Sequence, residues 1–287
     1  MKQNSLFRSL PFFIVTVFFI EFVVGWSIIQ LIDSPEELNY YFGAVYGLVA
    51  LIGGVYGVKV SKKWGGAKSS LGRTVLYLSL GLLFAEFGQL VFSYYNIFLS
   101  EPAPYPSVAD IGFFGNVPLY ILATMSLYSV VGLKRKASNN ALKFIAIAIV
   151  PPAMLFSSYW IFLREYSTEG LSKLNVFLDF GYPIGQALYI SIALVILVSV
   201  SGALGGVMRP RIWMLFLAFI AQYVADFNFL YQVYHETWQN GAYGDLLYVI
   251  AYYLMAVSLI YLSMPIIAKT RDDSLTYASE QRENSNG

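Results

Sequence analysis

The chain lacks cysteine altogether and has one histidine, His235, among its 287 residues. The absence of cysteine excludes a disulfide framework, a thiolate metal site and a thiol nucleophile. A single histidine excludes sites that need two imidazoles, such as a bis-histidine haem or a paired-histidine zinc centre. The sequence also has no glycine-rich phosphate loop and no Gly-x-Ser-x-Gly motif. We therefore expect no enzymatic activity, no metal site and no cofactor.

Charge is scarce as well. Only 12% of the residues are charged and 57% are hydrophobic, with a mean hydropathy of +0.61. This composition lies outside the range of soluble domains and predicts an integral membrane protein. A bilayer core takes about 20 apolar residues per helix. Eight apolar runs of suitable length lie between polar breaks, at residues 10–31, 41–60, 75–98, 110–133, 141–163, 178–201, 212–234 and 245–268.

These runs predict an all-α polytopic protein, with eight transmembrane helices in residues 1–268 and a disordered cytoplasmic tail in residues 269–287. All of the 18 Lys and Arg residues except Arg164 and Lys173 fall on one side of the predicted membrane. Basic loops are retained on the cytoplasmic side. We therefore expect a multi-pass protein of the cell membrane with both termini in the cytoplasm and the 101–109 loop outside.

Three of the inward-running segments begin alike, with DIGFFGN at 110–116, DFGYPIG at 179–185 and DLLYVIA at 245–251. This internal similarity predicts four helical hairpins in tandem. Asp110, Asp179 and Asp245 are expected in the first turn of their helices, where free N–H groups and the helix dipole stabilise an anion. They serve either as caps at the membrane surface or in binding a ligand or proton, and the sequence leaves both readings open.

Three ionisable residues, Glu21, Glu86 and Asp226, lie inside predicted spans. An ionisable group costs roughly 2.5–3.5 kcal/mol at mid-bilayer on insertion scales. No Lys or Arg lies deep enough in a span to pair with these acids. Each must be protonated, hydrogen-bonded to neutral partners or paired with a ligand cation. We expect at least one of Glu86 and Asp226 to be protonated at neutral pH.

Amides occur at similar depths, and two of them share a helix face with an acid: Gln89 with Glu86, and Gln222 with Asp226. The candidate ligand or proton site in the outer half of the bundle comprises Glu86, Gln89, Asn116, Gln186, Gln222 and Asp226. Its expected aromatic lining is Tyr94, Phe113, Tyr182, Tyr223 and Tyr248. Interhelical hydrogen bonding that fixes packing, a ligand pocket and a proton or ion pathway all remain open.

The motif YPSVAD at 105–110, with the aromatic-rich FAEFGQLVFSYY at 84–95 before it, resembles a signature of polytopic sensory modules. Such modules stand at the N-terminus of bacterial and archaeal diguanylate cyclases and related signalling proteins. The segments that start at Asp179 and Ala225 resemble later helices of the same modules. This chain has Gln89 where the modules often have an acid, and we expect no cyclase, phosphodiesterase or kinase domain after Lys269.

The resemblance implies a sensor or receptor-like membrane protein, which we expect to lack its own output domain and to bind a ligand or sense a signal in the outer-half polar and aromatic pocket. The expected partners are the lipid bilayer, an unknown small ligand and a separate cytoplasmic or membrane signalling protein. A nucleic-acid partner is not expected. The alternatives are a small proton-coupled secondary transporter or channel, and a scaffold subunit of a membrane complex.

Overall fold

The fold is seen in a computed structural model, which describes residue 6 and residues 9–32, 36–101, 103–131, 141, 144–164, 166–199 and 208–263. Over these ranges the chain forms helices and connecting loops, and no β-strand occurs in them. The predicted all-helical class is therefore confirmed. The predicted tail, 269–287, lies outside the described residues, as does the end of the predicted eighth span.

The described ranges contain nine α-helices, with bounds as follows: α1 Leu10–Leu31, α2 Glu36–Val45, α3 Leu48–Lys63, α4 Ser70–Ser93, α5 Ala109–Val131, α6 Val150–Ser158, α7 Lys173–Ser199, α8 Met208–Tyr234 and α9 Tyr243–Ser263. Wider π-helical turns extend α4 over Tyr94–Leu99 and flank α6 over Ile145–Ile149 and Tyr159–Leu163. A 3₁₀ turn, Gly66–Lys68, connects α3 to α4.

Seven helices are long and apolar enough to cross a membrane: Leu10–Leu31, Glu37–Lys63, Ser70–Leu99, Ala109–Val130, Lys173–Ser199, Arg209–Tyr234 and Tyr243–Leu262. Each coincides with one of the predicted spans, and together they indicate a membrane-embedded protein. The predicted fifth span, 141–163, contains a shorter apolar helix, Ile145–Ile161. Pro151 and Pro152 lie in the first turn of α6, directly after a π-helical segment. Since proline has no N–H to donate, a regular α-helical turn is broken there.

Serine hydroxyls fix the starts of two helices. Ser9 accepts a hydrogen bond from the Phe12 N–H at 3.4 Å before α1, and Ser69 accepts one from the Gly72 N–H at 2.9 Å before α4. The free N–H groups of a first turn favour such side-chain acceptors. Both helices therefore begin where the sequence changes from polar to apolar.

Six helices form a closed ring in the order α3, α4, α5, α7, α8, α9, and each contacts the next, with α9 returning to α3. Helix α1 packs on the outside of the ring against α9, and α6 packs on the outside against α7. Aromatic side chains fill the middle of the helix ring. The centroid of the Phe219 side chain lies 5.4 Å from that of Tyr120 and 4.7 Å from that of Tyr189, and both pairs are tilted. Leu78 and Leu82 are fully buried in the same core. The ring is therefore packed solid at mid-length.

The α4–α5 pair is the tightest in the ring. A Cβ added at Gly112 would clash with the backbone of Phe84 and Gly88, so the two helices approach to within backbone contact. Only glycine permits this distance. The close contact places the start of α5, with the YPSVAD loop before it, beside the end of α4.

Candidate functional site

The ring helices enclose a cavity at the end of the bundle that carries the 94–108 and 235–242 connections, and we call it the loop-end cavity. Its volume is about 40 Å³. All six ring segments contribute to its wall when Tyr46, at the α2–α3 junction, is counted with α3. Three acids line it: Asp110, Asp226 and Asp245. Aromatic side chains cover much of the rest, among them Tyr46, Phe113, Tyr182, Trp238, Tyr248 and Tyr252.

Asp226 joins three helices. It is only 7% exposed and accepts a hydrogen bond from Gln186 Nε2 of α7 at 2.6 Å. It also accepts from Gln222 Nε2 of its own helix at 3.0 and 3.1 Å, and from the Tyr248 hydroxyl of α9 at 2.9 Å. All of these neighbours donate, so the carboxyl group acts only as an acceptor. This arrangement suits an ionised carboxylate.

Asp245 forms a second buried network. It is 3% exposed and accepts hydrogen bonds from the Gly241 N–H at 2.6 Å and from the Tyr46 hydroxyl at 3.1 Å. Tyr46 Oη also lies 3.0 Å from Gln89 Oε1, and Gln89 Nε2 donates to the Gly43 carbonyl. Asp245 therefore connects α9 to the α2–α3 junction and to α4.

Asp245 lies in the first turn of its helix as predicted, and it is buried in the bundle. The 235–242 connection turns back over the start of α9 because Gly241 adopts a positive φ of 73°. The Gly241 carbonyl accepts hydrogen bonds from Trp26 Nε1 at 2.9 Å and Gln30 Nε2 at 3.0 Å, which hold the connection against α1.

Asp110 combines a cap with a place in the cavity wall. It lies in the first turn of α5, and its Oδ2 accepts a hydrogen bond from the Ser107 N–H at 2.8 Å. Its Oδ1 lies 3.4 Å from the Tyr182 hydroxyl, a long hydrogen bond. The capping and binding readings of this acid are thus compatible, because its two oxygens face different partners.

Asp179 does not begin its helix. Helix α7 starts at Lys173, so the expectation of a first-turn acid was wrong at this position. Its carboxylate accepts hydrogen bonds from the hydroxyls of Tyr105 at 2.7 Å and Tyr166 at 2.5 Å. Burial and then the hydrogen bond to Asp179 raise the pKa of both loop tyrosines. We call these three residues the loop clamp, because they tie the YPSVAD loop and the 164–172 connection to α7.

Only part of the predicted site lies at the cavity. Gln89 and Asp226 line it, and Gln186 and Gln222 donate hydrogen bonds to Asp226. Glu86 and Asn116 are buried but are not part of the lining. Glu86 Oε2 accepts no hydrogen bond among the described residues and packs against Gly47.

Three of the five aromatic residues predicted for the lining are found there. Phe113, Tyr182 and Tyr248 line the cavity. Tyr94 is exposed, and Tyr223 lies within 3.3 Å of the Ser157 hydroxyl at the α6 contact. Glu21 is exposed on α1, outside the ring.

Sequence reasoning missed six residues of the lining: Tyr46, Phe92, Phe229, Leu230, Trp238 and Tyr252. Tyr252 follows Tyr248 by four residues, so helical spacing from the predicted Tyr248 could have found it. Tyr46 lies at the junction of α2 and α3, inside a continuous apolar run. Trp238 belongs to the connection between α8 and α9, where no periodic pattern applies.

Within the ranges that the structure describes, no group of three or more His, Cys, Asp or Glu residues is placed to hold a metal ion.

Comparison of the chain with protein-family models, with curated proteins and with solved structures gave no match. The function of the loop-end cavity therefore has to be inferred from its own geometry.

Proposed function

We propose that this chain is a membrane sensor that binds a small ligand in the loop-end cavity and passes the signal to a separate protein. In this proposal the chain crosses the cell membrane eight times as four tandem hairpins, with both termini in the cytoplasm. The cavity then opens toward the outside. The division of basic residues between the two sides supports this orientation.

One observation carries the proposal: all six ring segments contribute side chains to a single small cavity. Asp226 of α8 accepts hydrogen bonds from α7 and α9, and Asp245 of α9 accepts one from Tyr46 at the α2–α3 junction. A ligand that binds either carboxylate competes with those interhelical bonds. Its affinity therefore differs between helix arrangements, which is the condition for a ligand to shift a conformational equilibrium.

The packing below the cavity favours a sensor over a transporter. Tyr120, Tyr189 and Phe219 fill the ring at mid-length, and all three are fully buried. A transporter must expose its site alternately to both faces. In this chain the aromatic layer would have to separate before a ligand could leave toward the other end.

The proposed output is helix movement that a cytoplasmic or membrane signalling partner reads. Lys62 and Lys63 end α3 and Lys68 follows in the next turn, at the end of the ring opposite the cavity. Movement of α3 against α9 would displace these cationic side chains at the cytoplasmic surface. Anionic lipid headgroups also lie at that surface in the proposed orientation.

Thiol accessibility tests the proposal, because the natural chain contains no cysteine. Phe92 lines the cavity, and Phe92→Cys should react with an impermeant thiol reagent that is added from outside. Ser107→Cys, in the 101–109 loop, and Ser138→Cys, between the predicted fourth and fifth spans, serve as controls for the outer and inner faces. Modification of Phe92→Cys from the cytoplasmic side would show alternating access and support a transporter. Labelling of both control positions from outside would refute the orientation.

A further inference from the structure

We infer that the ligand of the loop-end cavity is a small organic ammonium ion. This inference rests on the proposed function, because it names the chemical class that the proposed receptor site takes. It is carried by the charge of the cavity wall, by the aromatic rings around it, by the unpaired hydroxyl of a buried tyrosine and by the cavity's size.

The charge of the wall is negative and lacks a counterion. Asp110, Asp226 and Asp245 line the cavity, and its described lining contains no Lys, Arg or His. The hydrogen bonds to Asp226 and Asp245 come from amide N–H and phenol O–H groups, which are neutral donors. Neutral donors stabilise a carboxylate but do not cancel its charge. A bound cation would therefore gain electrostatic energy in a site shielded from water.

The rings around the acids favour an organic cation. Tyr252 lies between Tyr46 and Tyr248, with ring centroids 6.1 and 5.9 Å apart, and Trp238 also borders the space. The faces of such rings attract ammonium groups with attached carbon. A hydrated Na⁺ or a divalent ion instead needs several oxygen ligands around it. The rings would leave much of such an ion's coordination shell unfilled.

Tyr252 provides an independent indication of a ligand. The residue is 1% exposed and lines the cavity. Among the hydrogen bonds of the described residues, none involves its hydroxyl group. The polar groups of buried side chains are normally paired. An ammonium N–H that donates to this oxygen would pair it.

The size of the cavity limits the ligand. A water molecule needs roughly 10–15 Å³ of such space, so a cavity of about 40 Å³ has room for a few water-sized groups. Methylammonium and ethylammonium are of this size. A lipid headgroup with its chains, or a peptide, would require the ring helices to separate.

The experiment uses the full-length protein in lipid nanodiscs, with methylammonium, ethylammonium and tetramethylammonium chlorides as probes. Binding is measured by isothermal titration calorimetry against NaCl, KCl, ethanol and sodium acetate at matched ionic strength. At least one ammonium probe should give a saturable signal. Asp226→Asn and Asp245→Asn should each weaken its binding by at least about tenfold, because a close ion pair contributes more than the equivalent of one decade in affinity.

Two further variants control for indirect effects. Glu169→Gln removes an exposed acid from the 164–172 connection and should leave probe affinity unchanged. Tyr252→Phe keeps the ring but removes the unpaired hydroxyl. It should weaken methylammonium and ethylammonium binding several-fold, and any binding of tetramethylammonium should stay unchanged because that ion has no N–H to donate. Since Asp226→Asn removes a charge from a buried network, each variant is first checked for monodispersity and helix content, and Tyr252→Phe provides a test in which that network stays intact.

Each result decides between stated alternatives. No saturable signal from any ammonium probe on folded wild-type protein overturns the inference. If NaCl or KCl gives a signal equal to that of the ammonium probes, the ligand is not specifically an organic cation. If ethanol or acetate binds in a way that depends on Asp226, the ligand is not a cation, although the cavity is still a receptor site. Failure of the proposed function appears separately, as modification of Phe92→Cys from the cytoplasmic face.

Discussion

Tyr46 and Asp245 lie 199 residues apart in the sequence, and a hydrogen bond of 3.1 Å joins the hydroxyl of one to the carboxylate of the other. The contact connects the α2–α3 junction to the start of α9 across the cavity wall. Both residues are almost completely buried. Breaking such a contact leaves a buried polar group with one partner fewer, which costs more free energy than the bond contributes on average.

Tyr46→Phe should therefore lower the free energy of unfolding by about 1–3 kcal/mol. Thermal unfolding in nanodiscs measures the change, with Tyr231→Phe as the control because Tyr231 is exposed on α8. The double variant with Asp245→Asn should lose less than the sum of the two single variants, because both remove the same bond. Additive losses would mean that the two residues act independently.

Glu86 and Asp226 should differ in protonation at neutral pH. The donors around Asp226 suit a carboxylate, whereas Glu86 Oε2 accepts no hydrogen bond in the described part of the chain. An unpaired buried oxygen favours the neutral acid. Infrared spectroscopy at pH 7 should show a protonated-carboxyl C=O band that Glu86→Gln removes and Asp226→Asn leaves in place. The opposite pattern would contradict the assignment, and the absence of any such band would mean that both acids are ionised.

Asp110 should cap α5 and also contribute its charge to ligand binding in the cavity. Substitution by Ala and by Asn distinguishes these two roles. Asp110→Ala should lower stability by about 0.5–2 kcal/mol, while Asp110→Asn should retain most of it because an amide oxygen can accept the Ser107 N–H. Thermal unfolding gives the stability and the calorimetric titration gives probe affinity. If Asp110→Asn binds the ammonium probe as tightly as wild type, its charge plays no part in binding.

The loop clamp should contribute to the free energy of unfolding at neutral pH, and this contribution should disappear at alkaline pH. Burial and the hydrogen bond to Asp179 raise the pKa of Tyr105 and Tyr166 in the folded protein. Each phenol therefore stabilises the fold fully below its unfolded pKa of about 10, and this stabilisation is lost as the pH rises from there through the folded pKa. Tyr105→Phe should be less stable than wild type at pH 8, and the difference should shrink above pH 10. Melting curves over this range test it, and a constant difference would exclude the linkage.

The sequence predicted only part of the site, because local spacing gives contacts within a helix but not the position of the cavity along the bundle. Asp226 and Gln222 are four residues apart on one helix, so their contact follows from local spacing and occurs in the structure. Glu86 and Gln89 are three apart and both lie beside Gly47, but only Gln89, which is nearer the loop end of α4, lines the cavity. The position of the cavity along the bundle depends on how the six helices pack, and the apolar pattern of a single buried helix does not give it.

The sequence by itself determined the helical membrane class, the positions of seven long apolar helices and the first-turn acids Asp110 and Asp245. These features are local, since a bilayer requires about 20 consecutive apolar residues and backbone hydrogen bonds satisfied within the segment. Only the tertiary structure decided that Gln186 reaches Asp226 and that Tyr46 reaches Asp245. It also decided that the 235–242 connection buries Asp245. Those contacts depend on which helices are neighbours in the ring and how a loop crosses them, and side-chain packing between distant segments sets both.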